Sequence, residues 1–244
     1  MDLKKAKITV TPTSFGKNDP SLKTYLESKV GEVVYNQTGK PLKSGELIGL
    51  ISDADGYIAG LDEIDSTAIS SARMLKVISR YGVGLDNVDL ETAGKQNIVV
   101  TYTPGANASA VADLAVAFIL LLCRPICRAA EQTRQGEWPR TNGLSLEKKT
   151  VGLYGFGAVA KQVAQKLSGF SCRIIAFDVH WDADTAKQLN VEFVDKTAII
   201  KESDFLSLHV PVLEETRALV DSKFLEAMKT GSFLINTARG ELVD

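Results

Sequence analysis

Two stretches of this sequence carry residue types at a spacing that can do chemistry. The first is Gly155-Phe156-Gly157-Ala158-Val159-Ala160, which fits the pattern G-x-G-x-x-[GA]. It follows the apolar run TVGLY and opens an amphipathic pattern, AKQVAQKL. Gly155 permits a tight turn, Gly157 leaves room for a pyrophosphate against the backbone, and Ala160 lets a helix sit close to its strand. The amides of Ala158 and Val159, at the start of that helix, then face the phosphates. The next apolar run, RIIAFD, ends in Asp178, 23 positions after Gly155. A carboxylate at that place accepts both ribose hydroxyls of an adenosine and repels a 2′-phosphate, so the expected cofactor is NAD rather than NADP. The second stretch is NTARG, where the strand-like run FLI delivers Arg239 from a small turn as a candidate catalytic group.

These groups need a frame, and the chain offers two series of it. AKITVTP, EVVYN, GYIAG, LKVISRYG and NIVVTY are short apolar runs separated by helical patterns such as DPSLKTYLESKV and SGELIGLISDA. TVGLYGFG, CRIIAFD, VEFV, DFLSLHV and GSFLINTA repeat the alternation. Strands alternating with helices imply parallel sheets with crossover helices. The expected fold is α/β, two doubly wound parallel-sheet domains in tandem. Pro104 and Gly105 break the chain between the series, which places the first domain at residues 1–103 and the second at 104–244. A helix over about 108–124 opens the second domain, with Asn107 or Ser109 as its cap and Asp113 near its positive end. A cleft between two such domains is a common small-ligand site.

Composition narrows the partners. The formal net charge is −2 and no basic patch is concentrated anywhere, which argues against nucleic acid. The longest apolar run, LAVAFILLLC, is too short to cross a bilayer and is expected as a buried helix. The N-terminus has no signal-type apolar core, so a cytoplasmic location is expected. The three cysteines make no disulfide framework. Cys123 and Cys127, four apart, are expected to share a helix face and pack in the core, and no metal site is expected.

The stretches ISRYGVGLDNVDL, TPGANASAVADLAVAFILLL, GEWPR, TVGLYGFGAVAKQVAQKL, SDFLSLHVPVLEETRALV and MKTGSFLINTARGELVD occur in this order over nearly the whole chain. On them the chain resembles the D-isomer-specific 2-hydroxyacid dehydrogenases, and more closely their phosphoglycerate-dehydrogenase-like members. The resemblance implies a flavodoxin-like substrate domain followed by a Rossmann NAD-binding domain, and NAD-dependent interconversion of a D-2-hydroxy acid and its 2-oxo acid. It implies that the loop Gly82-Val83-Gly84 holds the substrate carboxylate through backbone amides, with Val83 near the nicotinamide and Arg80 available to a second anionic group. It places Val210 and Pro211 along the cofactor, and Thr237, Ala238 and Arg239 where cofactor and substrate meet. Arg239 is then the arginine that orients the substrate and polarises its carbonyl. A homodimer through the long apolar helix is also implied. His209 is structural in the family pattern, Asn87 is expected as a local turn former rather than a ligand, and His180 as a surface histidine without a role.

Three departures qualify the resemblance. Gly60 stands where phosphoglycerate dehydrogenases carry a phosphate-holding arginine, so one phosphate grip is lost and a non-phosphorylated 2-oxo acid is expected to be accepted as well. Leu213 stands where relatives often carry a hydroxyl residue near the cofactor. The family's proton-donating histidine and its glutamate belong to a segment beyond Asp244, so a truncated Rossmann domain, a fragment, is expected, with GSFLINTA at an open sheet edge. Such a chain is expected to bind NAD better than it catalyses. The alternative is a NAD-binding regulatory or scaffolding protein.

Overall fold

The structure, a computed structural model, describes residues 2–244. The chain forms two compact units, one up to Ala106 and one over Asn107–Asp244.

The first unit contains strands β1 (Lys7–Val10), β2 (Glu32–Tyr35), β3 (Gly56–Ala59), β4 (Val77–Arg80) and β5 (Val99–Thr101). Helices α1 (Ser21–Lys29), α2 (Ser44–Ile51), α3 (Ser66–Ser71) and α4 (Leu90–Lys95) connect them. All pairings are parallel and the order is β2-β1-β3-β4-β5. Every strand is short, so its carboxyl end delivers the chain at once into a loop at one edge of the sheet. Aspartates start two of the helices: Asp65 accepts from the Ala68 amide and Asp89 from the Thr92 amide, each at 2.8 Å. Leu47, Ile51, Ile69 and Ile78 are fully buried and form the centre of the core.

The second unit contains β6 (Thr150–Tyr154), β7 (Arg173–Phe177), β8 (Val191–Phe193), β9 (Phe205–Leu208) and β10 (Phe233–Asn236). Its helices are α5 (Ala108–Cys123), α6 (Ile126–Arg134), α7 (Ala158–Leu167), α8 (Ala183–Gln188), α9 (Lys196–Glu202) and α10 (Ser222–Ala227). The parallel order β10-β9-β6-β7-β8 reverses direction at β6, the strand that leads into the glycine turn, and places β10 at an edge. Ligands bind outside the strand carboxyl ends at such a reversal. Ala112, Ala115 and Ile119 of α5 pack with Ala160, Val163 and Ala164 of α7, and these small residues let both helices lie close to the sheet. Ile199, Leu206, Leu208 and Phe224 form a separate cluster with α9 and α10.

Three local expectations are corrected. LAVAFILLLC is not buried all round: Leu114, Phe118 and Leu122 are 48%, 40% and 38% exposed, because the face of α5 carrying Ala112, Ala115, Ile119 and Cys123 packs inward and their face does not. Cys123 is buried but Cys127 is exposed, since Pro125 ends α5 and the chain bends by 68° into α6. Asn107 occupies the N-cap without a side-chain bond, and Asp113 lies past the first turn, where it pairs with Lys166 at 2.8 Å. No single helix among the described residues is long and apolar enough to cross a membrane.

Candidate functional site

In the second unit the predicted cofactor residues gather at the carboxyl edge of the sheet. Gly155 follows β6 directly with φ +100°, and its amide donates to Phe177 O at 2.8 Å. A Cβ there would lie 2.8 Å from the carbonyl oxygen of His209, so only glycine lets β6 turn this close to β9. Gly157 is the N-cap of α7, with an ordinary φ of −80° and no side-chain cap. A Cβ on Gly157 would meet nothing within 4 Å. The space above the turn is therefore open, and the Ala158 and Val159 amides in the first turn of α7 have no side-chain acceptor.

Asp178 follows β7 and is tied into the same turn. Its Oδ2 accepts from the Phe156 amide at 2.6 Å and its Oδ1 from the His180 amide at 2.7 Å. Each carboxylate oxygen keeps acceptor capacity for a further donor such as a ribose hydroxyl. Phe156 packs on Trp181 with ring centroids 4.9 Å apart, and Trp181 packs on Phe193 at the same separation. This aromatic row, with the Asp178 bonds, holds the glycine turn in one conformation.

Val210 and Pro211 follow β9, and Thr237, Ala238 and Arg239 follow β10. Asn236 shapes the latter turn: its Oδ1 accepts from the Ala238 amide at 3.0 Å and its Nδ2 donates to Arg239 O at 2.7 Å. Arg239 is exposed, and its Nη1 donates to Ala238 O at 3.0 Å. Three buried polar atoms near this edge, Ser207 Oγ, His209 Nε2 and Thr237 Oγ1, have no hydrogen-bond partner among the described residues. Ser207 and His209 alternate onto one face, and the register Leu208↔Asn236 brings Thr237 beside His209. Burial pushes the His209 imidazole down to about 4, so it is neutral at pH 7. His180 is exposed.

In the first unit Arg80 ends β4, and Gly82, Val83 and Gly84 form the loop that follows it. Arg80 is only 5% exposed. Its Nε donates to Asn87 Oδ1 at 3.1 Å and its Nη1 to Ala59 O at 3.1 Å. Asn87 in turn donates to Gly60 O at 3.2 Å and Asp62 O at 2.7 Å. Arg80 and Asn87 thus lash the end of β4 to the loop after β3, a role larger than the local one expected for Asn87. Gly82 differs from the expected amide donor, because its own N–H is bonded to Arg80 O at 2.9 Å. Its carbonyl accepts from both the amide and the hydroxyl of Thr103, each at 3.1 Å. The Val83 and Gly84 amides have no partner among the described residues. Both N–H groups are therefore donors left for a ligand or solvent to satisfy. The Gly60 backbone is bound to Asp62, which also accepts from Thr11, Tyr57 and the Leu42 amide.

Two residues here were missed from sequence. Thr103 gave no signal beyond its place before a proline, and Asn87 read as a turn former. Both act on backbone carbonyls, which carry no sequence signature.

The family model for the D-isomer specific 2-hydroxyacid dehydrogenase, NAD binding domain, matches residues 116–244. The chain belongs to this family. It is 36% identical over 230 residues to a hydroxypyruvate reductase of Thermotoga maritima, covering 93% of this chain and 74% of that protein. It is 37% identical to a glyoxylate reductase of Thermococcus litoralis, covering 82% and 63%. A D-3-phosphoglycerate dehydrogenase of Methanocaldococcus jannaschii is 34% identical, covering 88% and 41%. The chain thus spans between 41% and 74% of the lengths of these relatives. A D-lactate dehydrogenase from Aquifex aeolicus, solved with NAD and lactic acid, superposes with a TM-score of 0.82 at 26% identity, over 97% of this chain and 70% of that one. The family's cofactor is NAD, and the open glycine turn, uncapped helix and aspartate fit it.

Proposed function

We propose that this protein is an NAD-dependent oxidoreductase that interconverts a small, non-phosphorylated D-2-hydroxy acid and its 2-oxo acid, with glyoxylate and hydroxypyruvate as the leading substrates. The observation that carries the substrate class is the state of the phosphate grips. Gly60 offers no side chain, and the Arg80 guanidinium is buried and bonded to Ala59 O and Asn87. Relatives named hydroxypyruvate and glyoxylate reductase support the same reading.

In this reading Gly155, Gly157, Ala158, Val159 and Asp178 hold the adenosine and pyrophosphate, with Val210 and Pro211 beside them. Thr237 and Ala238 line the nicotinamide half, with Val83 near it. The Val83 and Gly84 amides take the substrate carboxylate, on the loop shaped by Gly82 and Arg80. NAD supplies or accepts the hydride when bound. Arg239 orients the 2-oxo acid and polarises its carbonyl through paired N–H donors. The alkoxide needs a proton, and His209, neutral with its Nε2 buried beside β10, is not assigned that step.

The protein is further proposed to be cytoplasmic and homodimeric. Leu114, Phe118 and Leu122 form an exposed apolar stripe along α5 suited to a second copy. Light scattering on the purified protein reads the oligomer directly. The substrate test compares kcat/KM for glyoxylate, hydroxypyruvate and phosphohydroxypyruvate with the native protein and NADH. Preference for either non-phosphorylated acid is expected. Preference for phosphohydroxypyruvate would overturn the substrate class, and NADH binding without turnover of any of them would favour a regulatory protein.

A further inference from the structure

We infer that Thr103 is a positioning residue for the 2-oxo acid: it aims the Val83 N–H at the substrate carboxylate without touching it. The inference rests on the reading that the loop after β4 holds that carboxylate.

The geometry is that of one peptide plane. Gly82 O receives two donors, the Thr103 amide and the Thr103 hydroxyl, each at 3.1 Å. A carbonyl oxygen has two lone pairs, so it is saturated. The peptide linking Gly82 to Val83 is trans, since the described chain has no cis bond. In a trans peptide the C=O and the following N–H point in opposite directions. The Val83 N–H therefore points away from Thr103 and from the sheet edge at β5. Rotating that plane would break two hydrogen bonds at once. A third bond, from the Gly82 amide to Arg80 O at 2.9 Å, fixes the other side of Gly82.

Thr103 is itself held. Pro104 follows it and restricts it to extended backbone, and its β-branched side chain has few rotamers. The arrangement orients the amide before any ligand arrives, so the loop need not reorganise on binding. A hydroxyl that merely tidies a loop would affect stability but not the affinity for a carboxylate.

The test uses the native protein, oxalate as an unreactive mimic of a 2-oxo acid, and the variants T103V, T103A and T103S. In the wild-type protein, oxalate should shift the amide resonances of Val83 and Gly84. T103V and T103A should weaken oxalate by about 3- to 10-fold, the effect of one lost hydrogen bond on the donor it orients. NADH affinity should stay within about twofold in all variants, a change of under about 0.5 kcal/mol. T103S should restore oxalate binding. Wild-type oxalate affinity in the folded T103A or T103V protein, with the Val83 shift intact, would overturn the inference. Oxalate binding that leaves the wild-type Val83 and Gly84 amides unmoved would instead refute the carboxylate reading on which it rests.

Discussion

Gly155 and Gly157 sit two residues apart in one turn, yet alanine should act on them in opposite ways. At Gly155 the added methyl meets a backbone carbonyl oxygen at 2.8 Å and Val210 Cγ1 at 2.9 Å. Neither strand can retreat, because His209 N is bonded to Tyr154 O and Gly155 N to Phe177 O, both at 2.8 Å. The residue would also keep a φ of +100°. Strain of that kind costs about 1–3 kcal/mol and overpacking about 1–3 more, so G155A should lose roughly 2–6 kcal/mol. At Gly157 a methyl meets nothing within 4 Å and φ is −80°. G157A should change stability by less than about 1 kcal/mol, the scale of an N-cap exchange. It should instead weaken NADH by at least about tenfold, or 1.4 kcal/mol, by crowding the pyrophosphate. Both tryptophans, Trp138 and Trp181, lie in the second unit, so urea unfolding followed by tryptophan fluorescence reports on that unit. NADH titration supplies the second readout. A G157A protein that binds NADH as the wild type does would refute the placement of the pyrophosphate on this turn. A G155A protein of wild-type stability would refute the packing argument.

Three further outcomes are expected. D178A should lose NADH affinity and raise the NADPH-to-NADH ratio, since it removes both the hydroxyl acceptor and the repulsion of a 2′-phosphate; an unchanged ratio in paired titrations would count against Asp178 as the discriminator. His209 is held neutral by burial to about 4, whereas an unfolded histidine titrates near 6.5, so the unfolded chain alone takes up this proton between those values. Stability should therefore fall as pH drops from about 6.5 to 4, by up to about 3 kcal/mol, and H209Q should remove that slope in urea titrations at pH 7 and pH 5. N87A should destabilise the first unit by about 1–3 kcal/mol, because it strips Arg80 Nε and the carbonyls of Gly60 and Asp62 of a partner; unchanged hydrogen-exchange protection in β3 and β4 would contradict it.

The strands were legible because buried parallel strands read as apolar runs, and the ten runs seen in the sequence correspond to β1 through β10. The glycine turn was legible because its demands fall on residue types: no Cβ at Gly155, open space at Gly157, a carboxylate after the next strand. Features that depend on which way a side chain turns were not legible. Arg80 read as a residue open to ligand, yet its guanidinium is drawn inward by Ala59 O and Asn87. Gly82 read as a donor to ligand, yet its N–H is spent on Arg80 O. Cys127 read as core because the spacing from Cys123 is helical, and Pro125 between them ended the helix. Each miss is a tertiary contact or a chain break overriding a local pattern.

The central claim is hydride transfer to a 2-oxo acid with one handedness. The most direct measurement is the chirality of the glycerate formed from hydroxypyruvate and NADH by the native protein, resolved by chiral chromatography with stoichiometric NADH loss. D-glycerate alone is the expected result. L-glycerate, a racemate, or NADH binding with no product would contradict the account.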